Sequence, residues 1–243
     1  MSKRDTLVCL RAARPLISAG VLSADMMHLD RQIASVRDAG IQLLHFDLMD
    51  GQFCPMLTFG PPMVKAVRTD LLKDVHLMVR DPLERLPEVV RAGADLVVVN
   101  VETTVHIHRA LQMLGDMENA NDPERGLLRG VALNPGTPLG VLEPLMDDLE
   151  VIFLLAVNPG WGGQGFIPSV RGKLSRLVGL VRDAGREILV GIDGGIVQEN
   201  VAEVAALGPD LIVAGSAVFR GDDPGAHARR LSEAARAAAG VNP

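Results

Sequence analysis

The chain has 243 residues, 48% of them hydrophobic, and a formal net charge of -6 at pH 7. This length suits one large domain, since α/β barrels often reach it as a single unit. The acidic balance argues against nucleic acid or an anionic membrane as a partner, because either would favour a basic face. The chain has only two cysteines, Cys9 and Cys54, which excludes a disulfide framework and favours a reducing compartment, so we expect a cytoplasmic protein.

We expect an N-terminal extension outside the core over residues 1–14, a barrel over residues 15–235 and a C-terminal tail over residues 236–243. The apolar run in the extension, residues 7–10, is too short and too interrupted for a signal peptide or a membrane span. The alanine-rich stretch 234–239 is predicted to be a final helix that frays at Gly240.

Apolar runs of strand length alternate with amphipathic stretches along the chain. The apolar runs cover residues 15–21, 43–48, 74–79, 95–101, 130–133, 151–157, 188–192 and 211–214. The amphipathic stretches cover residues 27–39, 61–68, 82–92, 104–113, 139–146, 169–184 and 198–206. This pattern predicts a closed (β/α)8 TIM barrel of one domain rather than an open doubly wound sheet, which usually has fewer strands and a nucleotide fingerprint after the first.

Three predicted strands carry side chains that can bind a metal ion. His45 and Asp47 share one face of the second strand because side chains alternate along a strand, His76 lies on the third, and Asp193 ends the seventh. A single histidine on a buried strand is more often a hydrogen-bonded core residue. Four such residues near the strand ends where this fold places its active site instead predict one site for Zn²⁺, Mn²⁺, Fe²⁺ or Co²⁺.

Apolar and thiol side chains lie beside these residues. Met49 and Met78 face the same way as the ionisable groups, either as core filler or as an apolar floor that excludes water from the ligand. Cys54 follows the second strand and is expected to be inert. Two roles are equally expected for Glu102: it supports the metal-binding residues from outside, or it is an ordinary acidic residue at the start of a helix.

Glycine-rich elements follow the sixth, seventh and eighth predicted strands. Exposed backbone N–H groups of such loops can surround an anion, and this fold often binds phosphate there. Any one of them alone also fits a mobile surface loop, but together they favour a phosphorylated ligand. Besides the two methionines, the residues predicted to bind this substrate are Gly160, Gly162, Gly163, Gly194, Gly195, Gly215 and Ser216.

Segments from about residue 17 to residue 219 resemble, in order, the motifs of the ribulose-phosphate 3-epimerase family. The matching segments are VLSAD (21–25), HFDLMDG (45–51), LTFGPP (57–62), VHLMV (75–79), ALNPGTP (132–138), VNPG (157–160), DGG (193–195) and AGSAVF (214–219). The resemblance implies a barrel of the ribulose-phosphate-binding type and an isomerase of carbohydrate metabolism in the pentose phosphate pathway.

By the same resemblance, His45, Asp47, His76 and Asp193 match the family's metal ligands, and Asp47 and Asp193 match its two acid/base carboxylates. The implied reaction is the 3-epimerisation of D-ribulose 5-phosphate to D-xylulose 5-phosphate. One carboxylate removes the proton next to the ketone, a cis-enediolate forms that one divalent metal ion stabilises, and the other carboxylate returns a proton to the opposite face. The implied partner is a small phosphorylated sugar. Because barrels of this kind often assemble, a second copy of the chain is included among the expected partners, as in a homo-oligomer.

Some positions depart from the family pattern, and they cluster around the site. Gly20, Asn100 and Leu155 stand where the family usually has serine, histidine and methionine. Gln52 and Met56 replace a histidine and an asparagine in the loop after the second strand. Because changes around a pocket alter recognition before they abolish a metal site, another ketose phosphate, such as allulose 6-phosphate or a tetrulose phosphate, is an alternative substrate.

Two other classes of function rank lower. A sugar-phosphate lyase on the same barrel would resemble decarboxylases that carry Asp-x-Lys-x-x-Asp on a central strand, and strand 74–79 has no such lysine. A non-catalytic sugar-phosphate sensor would explain the departures from the family pattern, but the sequence shows no appended regulatory or DNA-binding segment.

Overall fold

Within residues 2–241, the part of the chain that the computed structural model describes, eight parallel strands close into a barrel. Each strand pairs with the next along the chain, and the last pairs with the first. The strands are β1 (Leu16–Gly20), β2 (Leu43–Met49), β3 (Leu72–Met78), β4 (Leu96–Asn100), β5 (Leu128–Leu133), β6 (Val151–Leu155), β7 (Leu189–Asp193) and β8 (Leu211–Ala214). The predicted (β/α)8 TIM barrel is confirmed, and every predicted apolar run overlaps one strand.

Helices connect the strands and form the outer layer. The α-helices are α1 (Lys3–Ala12), α2 (Leu29–Asp38), α3 (Pro61–Ala66), α4 (Leu86–Arg91), α5 (Ile107–Gly115), α6 (Val170–Asp183), α7 (Val201–Ala205), α8 (Ser216–Phe219) and α9 (Pro224–Ala238). Short 3-10 segments occupy Val21–Ser23, Pro82–Glu84, Val101–Thr103 and Leu139–Asp148. Among the described residues, no helix is both long and apolar enough to cross a membrane.

Two of the amphipathic stretches form shorter or tighter helices than their patterns suggest. The stretch 139–146 lies in the 3-10 helix Leu139–Asp148, which contains Pro144. Proline has no backbone N–H and its ring clashes with the preceding turn, so it disfavours a continuous α-helix there. The stretch 82–92 divides into the 3-10 segment Pro82–Glu84 and the short helix α4, which carries a second proline in its first turn.

The apolar core has two layers, one between strands and helices and one inside the barrel. Phe46 belongs to the outer layer, and Phe153 belongs to the inner layer. Both side chains are fully buried. The inner layer is narrow at β7, where the bare Cα of Gly191 lies against the Phe153 ring and leaves no space for a Cβ.

The N-terminal segment packs against the barrel. Residues 1–14, predicted as an extension outside the core, contain α1, whose first turn is closed by reciprocal hydrogen bonds between Ser2 and Asp5. Leu7 and Leu10 of α1 are buried in the inner layer together with the first residues of several strands, including Leu16. Helix α1 therefore covers the amino-terminal end of the barrel, opposite the strand ends that carry the ionisable residues. At the other end of the chain, α9 continues to Ala238, beyond the predicted barrel boundary at residue 235.

Candidate active site

Strands β2 and β3 place pairs of inward-facing side chains at successive levels of the barrel. Parallel pairing sets these residues side by side, and alternation along each strand directs them to the same face. From the interior towards the carboxyl ends, the pairs are His45 with Asp74, Asp47 with His76, and Met49 with Met78. The inward-facing pairs are therefore polar in the barrel interior and apolar where the two strands reach the cavity.

Four of the predicted residues bring metal-binding atoms together at one point. One such atom from each of His45, Asp47, His76 and Asp193 lies within 4.8 Å of all the others. His45 Nε2 is 3.2 Å from Asp47 Oδ1 and 3.8 Å from Asp193 Oδ2. His76 Nδ1 is 3.6 Å from each of the same two carboxylate oxygens.

Each histidine is held by a hydrogen bond at the ring nitrogen that faces away from the two carboxylates of this point. Nδ1 of His45 lies 2.7 Å from Asp74 Oδ2, while Nε2 of His76 lies 2.8 Å from the side-chain carbonyl oxygen of Asn100. An acceptor at one ring nitrogen holds the proton there and leaves the other nitrogen as a lone-pair donor. The two histidines therefore present different atoms to the site, Nε2 from His45 and Nδ1 from His76.

Opposing charges shift the pKa values of these groups. Burial lowers the pKa of His45, but attraction by Asp74 and Asp47 outweighs it, so the pKa is raised well above its ordinary value. Burial likewise opposes protonation of His76, yet its contacts with Asp193 and Asp47 raise the pKa to about 9. Burial raises the pKa of Asp47, but the two histidines outweigh this and hold it below its usual range. The carboxylates thus attract positive charge, which the two histidines carry as protons when no cation is bound.

The donor set fits a divalent cation. Nδ1 of His76 is buried, has no hydrogen-bond partner among the described residues and lies 3.6 Å from each carboxylate oxygen, so once deprotonated it can bind a cation between them. Two imidazole nitrogens and two carboxylate oxygens suit Zn²⁺, Fe²⁺, Mn²⁺ or Co²⁺ rather than the all-oxygen preference of Mg²⁺. A cation at this point would be held by His45, Asp47, His76 and Asp193.

A cavity of about 270 Å³ opens above these residues. Asp47 and Asp193 reach it with side chains that are 16% and 15% exposed, whereas both histidines are buried beneath it. The predicted substrate-binding residues all line this cavity: Met49, Met78, Gly160, Gly162, Gly163, Gly194, Gly195, Gly215 and Ser216. These predicted residues follow or end five strands, and together they surround one space large enough for a small sugar.

Close backbone packing explains part of the glycine pattern. Gly194 and Gly195 have positive φ angles of 98° and 68°, and a Cβ at Gly195 would lie 2.6 Å from the backbone nitrogen of Phe166. Gly160, with a φ of 126°, lies directly against Pro55 of the loop after β2. These glycines bring the loops after β2, β6 and β7 together over the cavity. Gly162 and Gly163, in contrast, have open space around their Cα atoms.

A small apolar cluster lies beside the cavity at the ends of β2 and β3 and includes residues of the loop after β2. Met49, Met78 and Cys54 form a small buried cluster, joined by the partly buried Phe53 and Met56. Burial, reinforced by the nearby negative charge of Asp47, raises the pKa of Cys54 to about 12, so the thiol stays protonated. Cys54 thus packs as a small apolar residue, as expected for an inert thiol.

The residues expected to depart from the family pattern occupy different parts of the site. Gly20 and Leu155 line the cavity, so both change the surface that a ligand meets. Asn100 does not reach the cavity but accepts the hydrogen bond from His76, and its amide nitrogen lies 3.3 Å from Glu102. Glu102 also accepts hydrogen bonds from the backbone N–H of Asn134 and from the hydroxyl of Thr137, so it braces the loop after β5.

Two charged residues of the site had not been predicted, Asp74 and Arg220. Asp74 contacts His45 from below, and the alternation that places His76 on the inner face also places Asp74 there, so the sequence held that signal. Arg220, at the end of α8, lines the cavity beside Gly215 and forms no ion pair within residues 2–241. Arg220 follows the predicted Gly215–Ser216 element by four residues, so its place in the sequence was a signal that could have found it.

Comparison with known proteins identifies relatives of the whole barrel. Residues 16–219 match the ribulose-phosphate 3 epimerase family. The chain is 40% identical over 210 residues to ribulose-phosphate 3-epimerase of Bacillus subtilis, covering 85% of this chain and 93% of that one. It is 39% identical over 220 residues to the putative epimerase LsrE of Salmonella typhi, covering 90% of this chain and 86% of that one.

A solved structure shares the fold at lower sequence identity. KGPDC from Streptococcus mutans superposes with a TM-score of 0.65 at 14% identity, over 92% of this chain and 98% of that one. At this identity the likeness shows the barrel alone, because one barrel supports many chemistries.

Proposed function

The chain belongs to the ribulose-phosphate 3-epimerase family, and we propose that it interconverts D-ribulose 5-phosphate and D-xylulose 5-phosphate with one divalent metal ion. The observation that carries the proposal is the placement of Asp47 and Asp193. These carboxylates come from β2 and β7, two strands that lie three positions apart around the barrel, and both reach one cavity. A ligand between them meets a carboxylate on each side.

Inverting the carbon next to a ketone requires one proton acceptor and one proton donor on opposite faces of the substrate. In one direction, the ionised Asp47 removes the C3 proton, the electron pair moves towards the ketone to give an enediolate, and the protonated Asp193 delivers a proton to the other face of C3. The two carboxyl groups then have exchanged protonation states, and the reverse reaction restores them. The lowered pKa of Asp47 means that this group starts in its ionised form, as a proton acceptor must, although the same shift weakens it as a base.

The other residues bind and orient the substrate. His45 and His76, with the two carboxylates, would hold the cation, which when bound supplies Lewis-acid stabilisation of negative charge on the ketose oxygens. Met49 and Met78 exclude water beside the reacting carbon, which strengthens the electrostatic interactions there. At the other end of the cavity, backbone N–H groups around Gly195 and Gly215 would bind the phosphate.

The reaction has a direct test. Metal-loaded protein is mixed with D-ribulose 5-phosphate in deuterated water and followed by proton NMR. We expect loss of the C3 proton signal together with the appearance of D-xylulose 5-phosphate, and both should stop when a chelator removes the metal. Absence of C3 exchange with every ketose phosphate tested would refute epimerase activity.

A different ketose phosphate is the second candidate substrate, and the cavity lining favours testing it. Gly20 and Leu155 both border the cavity, and both are positions where the sequence is expected to differ from the family pattern. The similar identities to a ribulose-phosphate 3-epimerase and to a protein named putative epimerase LsrE do not rank the substrates. Comparing kcat/KM for tetrulose, pentulose and hexulose phosphates, including allulose 6-phosphate, identifies the one preferred.

A further inference from the structure

Asp74 is a buried carboxylate that the proposed reaction does not use. It lies on the inner face of β3, fully buried, directly beside His45 in the strand pairing. One oxygen, Oδ2, accepts hydrogen bonds from Nδ1 of His45 at 2.7 Å and from the Ser18 hydroxyl at 3.3 Å. The other oxygen, Oδ1, has no hydrogen-bond partner within residues 2–241. Because burying a carboxylate without full hydrogen bonding is unfavourable, its presence at this level needs an explanation.

The orientation of the His45 ring explains why a carboxylate is buried at this level. The ring lies between two sets of oxygens, with Nδ1 towards Asp74 and Nε2 3.2 Å from Asp47. A neutral imidazole carries one proton and uses its other nitrogen as a lone-pair donor. An acceptor at Nδ1 therefore leaves the Nε2 lone pair directed at the point where the carboxylates and His76 converge.

We propose that Asp74 is a positioning residue that holds His45 with its proton on Nδ1 and Nε2 towards the metal centre, and thereby sets the affinity of the protein for its divalent cation. The proposal rests on the metal centre of the proposed function. A carboxylate that accepts the second N–H of a metal-binding histidine fixes the ring and makes it a stronger ligand.

The second histidine provides an internal comparison. His76 is held by the neutral amide of Asn100 at 2.8 Å, whereas His45 is held by a carboxylate at 2.7 Å. The two hydrogen bonds have nearly the same length but differ in the charge of the acceptor. Because charge-assisted hydrogen bonds are roughly twice as strong as neutral ones, the support from Asp74 exceeds that from Asn100.

The test measures metal affinity, not activity. Asp74→Asn keeps the size of the side chain but replaces the carboxylate with a neutral amide, and we expect Co²⁺ and Zn²⁺ to bind about 10–100-fold more weakly in competition with a chromophoric chelator. The visible absorption bands of bound Co²⁺ should also change, because His45 becomes a weaker ligand. Ser18→Ala is the matched control, since it removes the other hydrogen bond to the same oxygen without touching His45. We expect its metal affinity to stay within about threefold of wild type.

Thermal unfolding of the metal-free proteins separates positioning from a merely structural role. If Asp74→Asn lowers the unfolding temperature but binds Co²⁺ as tightly as wild type with the same spectrum, the proposal is wrong. Equal loss of affinity in Asp74→Asn and Ser18→Ala would also overturn it, because the effect would then belong to the pocket as a whole.

A measurement on the unmodified chain covers the case in which Asp74→Asn does not fold. In the Zn²⁺-loaded, ¹⁵N-labelled protein, NMR should show a proton on Nδ1 of His45 and a metal-shifted Nε2, with His45→Asn used for assignment. A proton on Nε2 would overturn the proposal. Metal affinity and histidine NMR need no ketose, so a wild-type protein that passes both tests yet epimerises nothing would refute the proposed function alone.

Discussion

Phe153 forms the wall of the barrel interior against which His45 rests, and shortening it should damage both stability and metal binding. Its ring is fully buried and meets the His45 ring edge to face, with centroids 5.8 Å apart at 61°. Phe153→Ala should cost about 3–5 kcal/mol in unfolding free energy, because the cavity cannot collapse inside a closed barrel. For a chain of this length that loss corresponds to a decrease of about 6–20 °C in Tm, measurable by circular dichroism. Metal affinity should fall by about tenfold, since His45 loses one of its supports.

Phe46 provides the matched control for this prediction. It is also fully buried, but it lies in the outer layer, where its ring packs against Phe59 with centroids 6.2 Å apart. Phe46→Ala should therefore lower Tm by a similar amount and leave metal affinity unchanged at a temperature where both variants are folded. If the two substitutions weaken metal binding equally, or if Phe153→Ala leaves it intact, then the inner wall does not support His45 and the reasoning fails.

Three further perturbations address the cation, the phosphate end and the loops. The pKa values of His45 and His76 are both raised in the metal-free protein, that of His76 to about 9, so both must lose a proton before a cation binds. Metal affinity should therefore rise by about tenfold or more per pH unit up to about pH 9, and calorimetry that finds no pH dependence contradicts this. Arg220→Ala should raise KM for the sugar phosphate about 2–10-fold without changing kcat, most strongly at low ionic strength, whereas Arg229→Ala on the exposed face of α9 should change neither. Gly195→Ala places a Cβ 2.6 Å from the backbone of Phe166 at a φ of 68°, so we expect a loss of about 1–2 kcal/mol or more in chemical denaturation and weaker substrate binding.

The strands of the barrel could be predicted because each is a short apolar run buried on both faces. Helix boundaries were harder, since several helices are shorter than their amphipathic pattern and Pro144 makes one of them a 3-10 helix. The docking of α1 was missed because only Leu7 and Leu10 mark its buried face, and two apolar residues do not distinguish a packed helix from an exposed one. That contact depends on the open end of the barrel, which no local pattern describes.

The candidate site, like the fold, could be predicted only in part. The residues expected to converge were found from strand alternation and from the rule that barrel sites lie at strand ends. The contacts that support them depend on register between strands, which a single sequence does not reveal. His45 meets Asp74 because β2 pairs with β3 in one register, and His76 meets Asn100 across β3 and β4. Asp74 could have been found from alternation alone, but its contact with His45 could not.

Solvent deuterium distinguishes the two carboxylates most directly, because each proposed base faces one side of C3. With Asp193→Asn, epimerisation should fall by about 10²–10⁴-fold, yet Asp47 should still exchange the C3 proton of one ketose phosphate epimer without inverting it. Asp47→Asn should exchange only the opposite epimer. Both variants keep a side-chain oxygen for the cation, and metal content is measured in parallel. Exchange of the same epimer by both variants, or epimerisation at the wild-type rate in either, would show that Asp47 and Asp193 do not act from opposite faces.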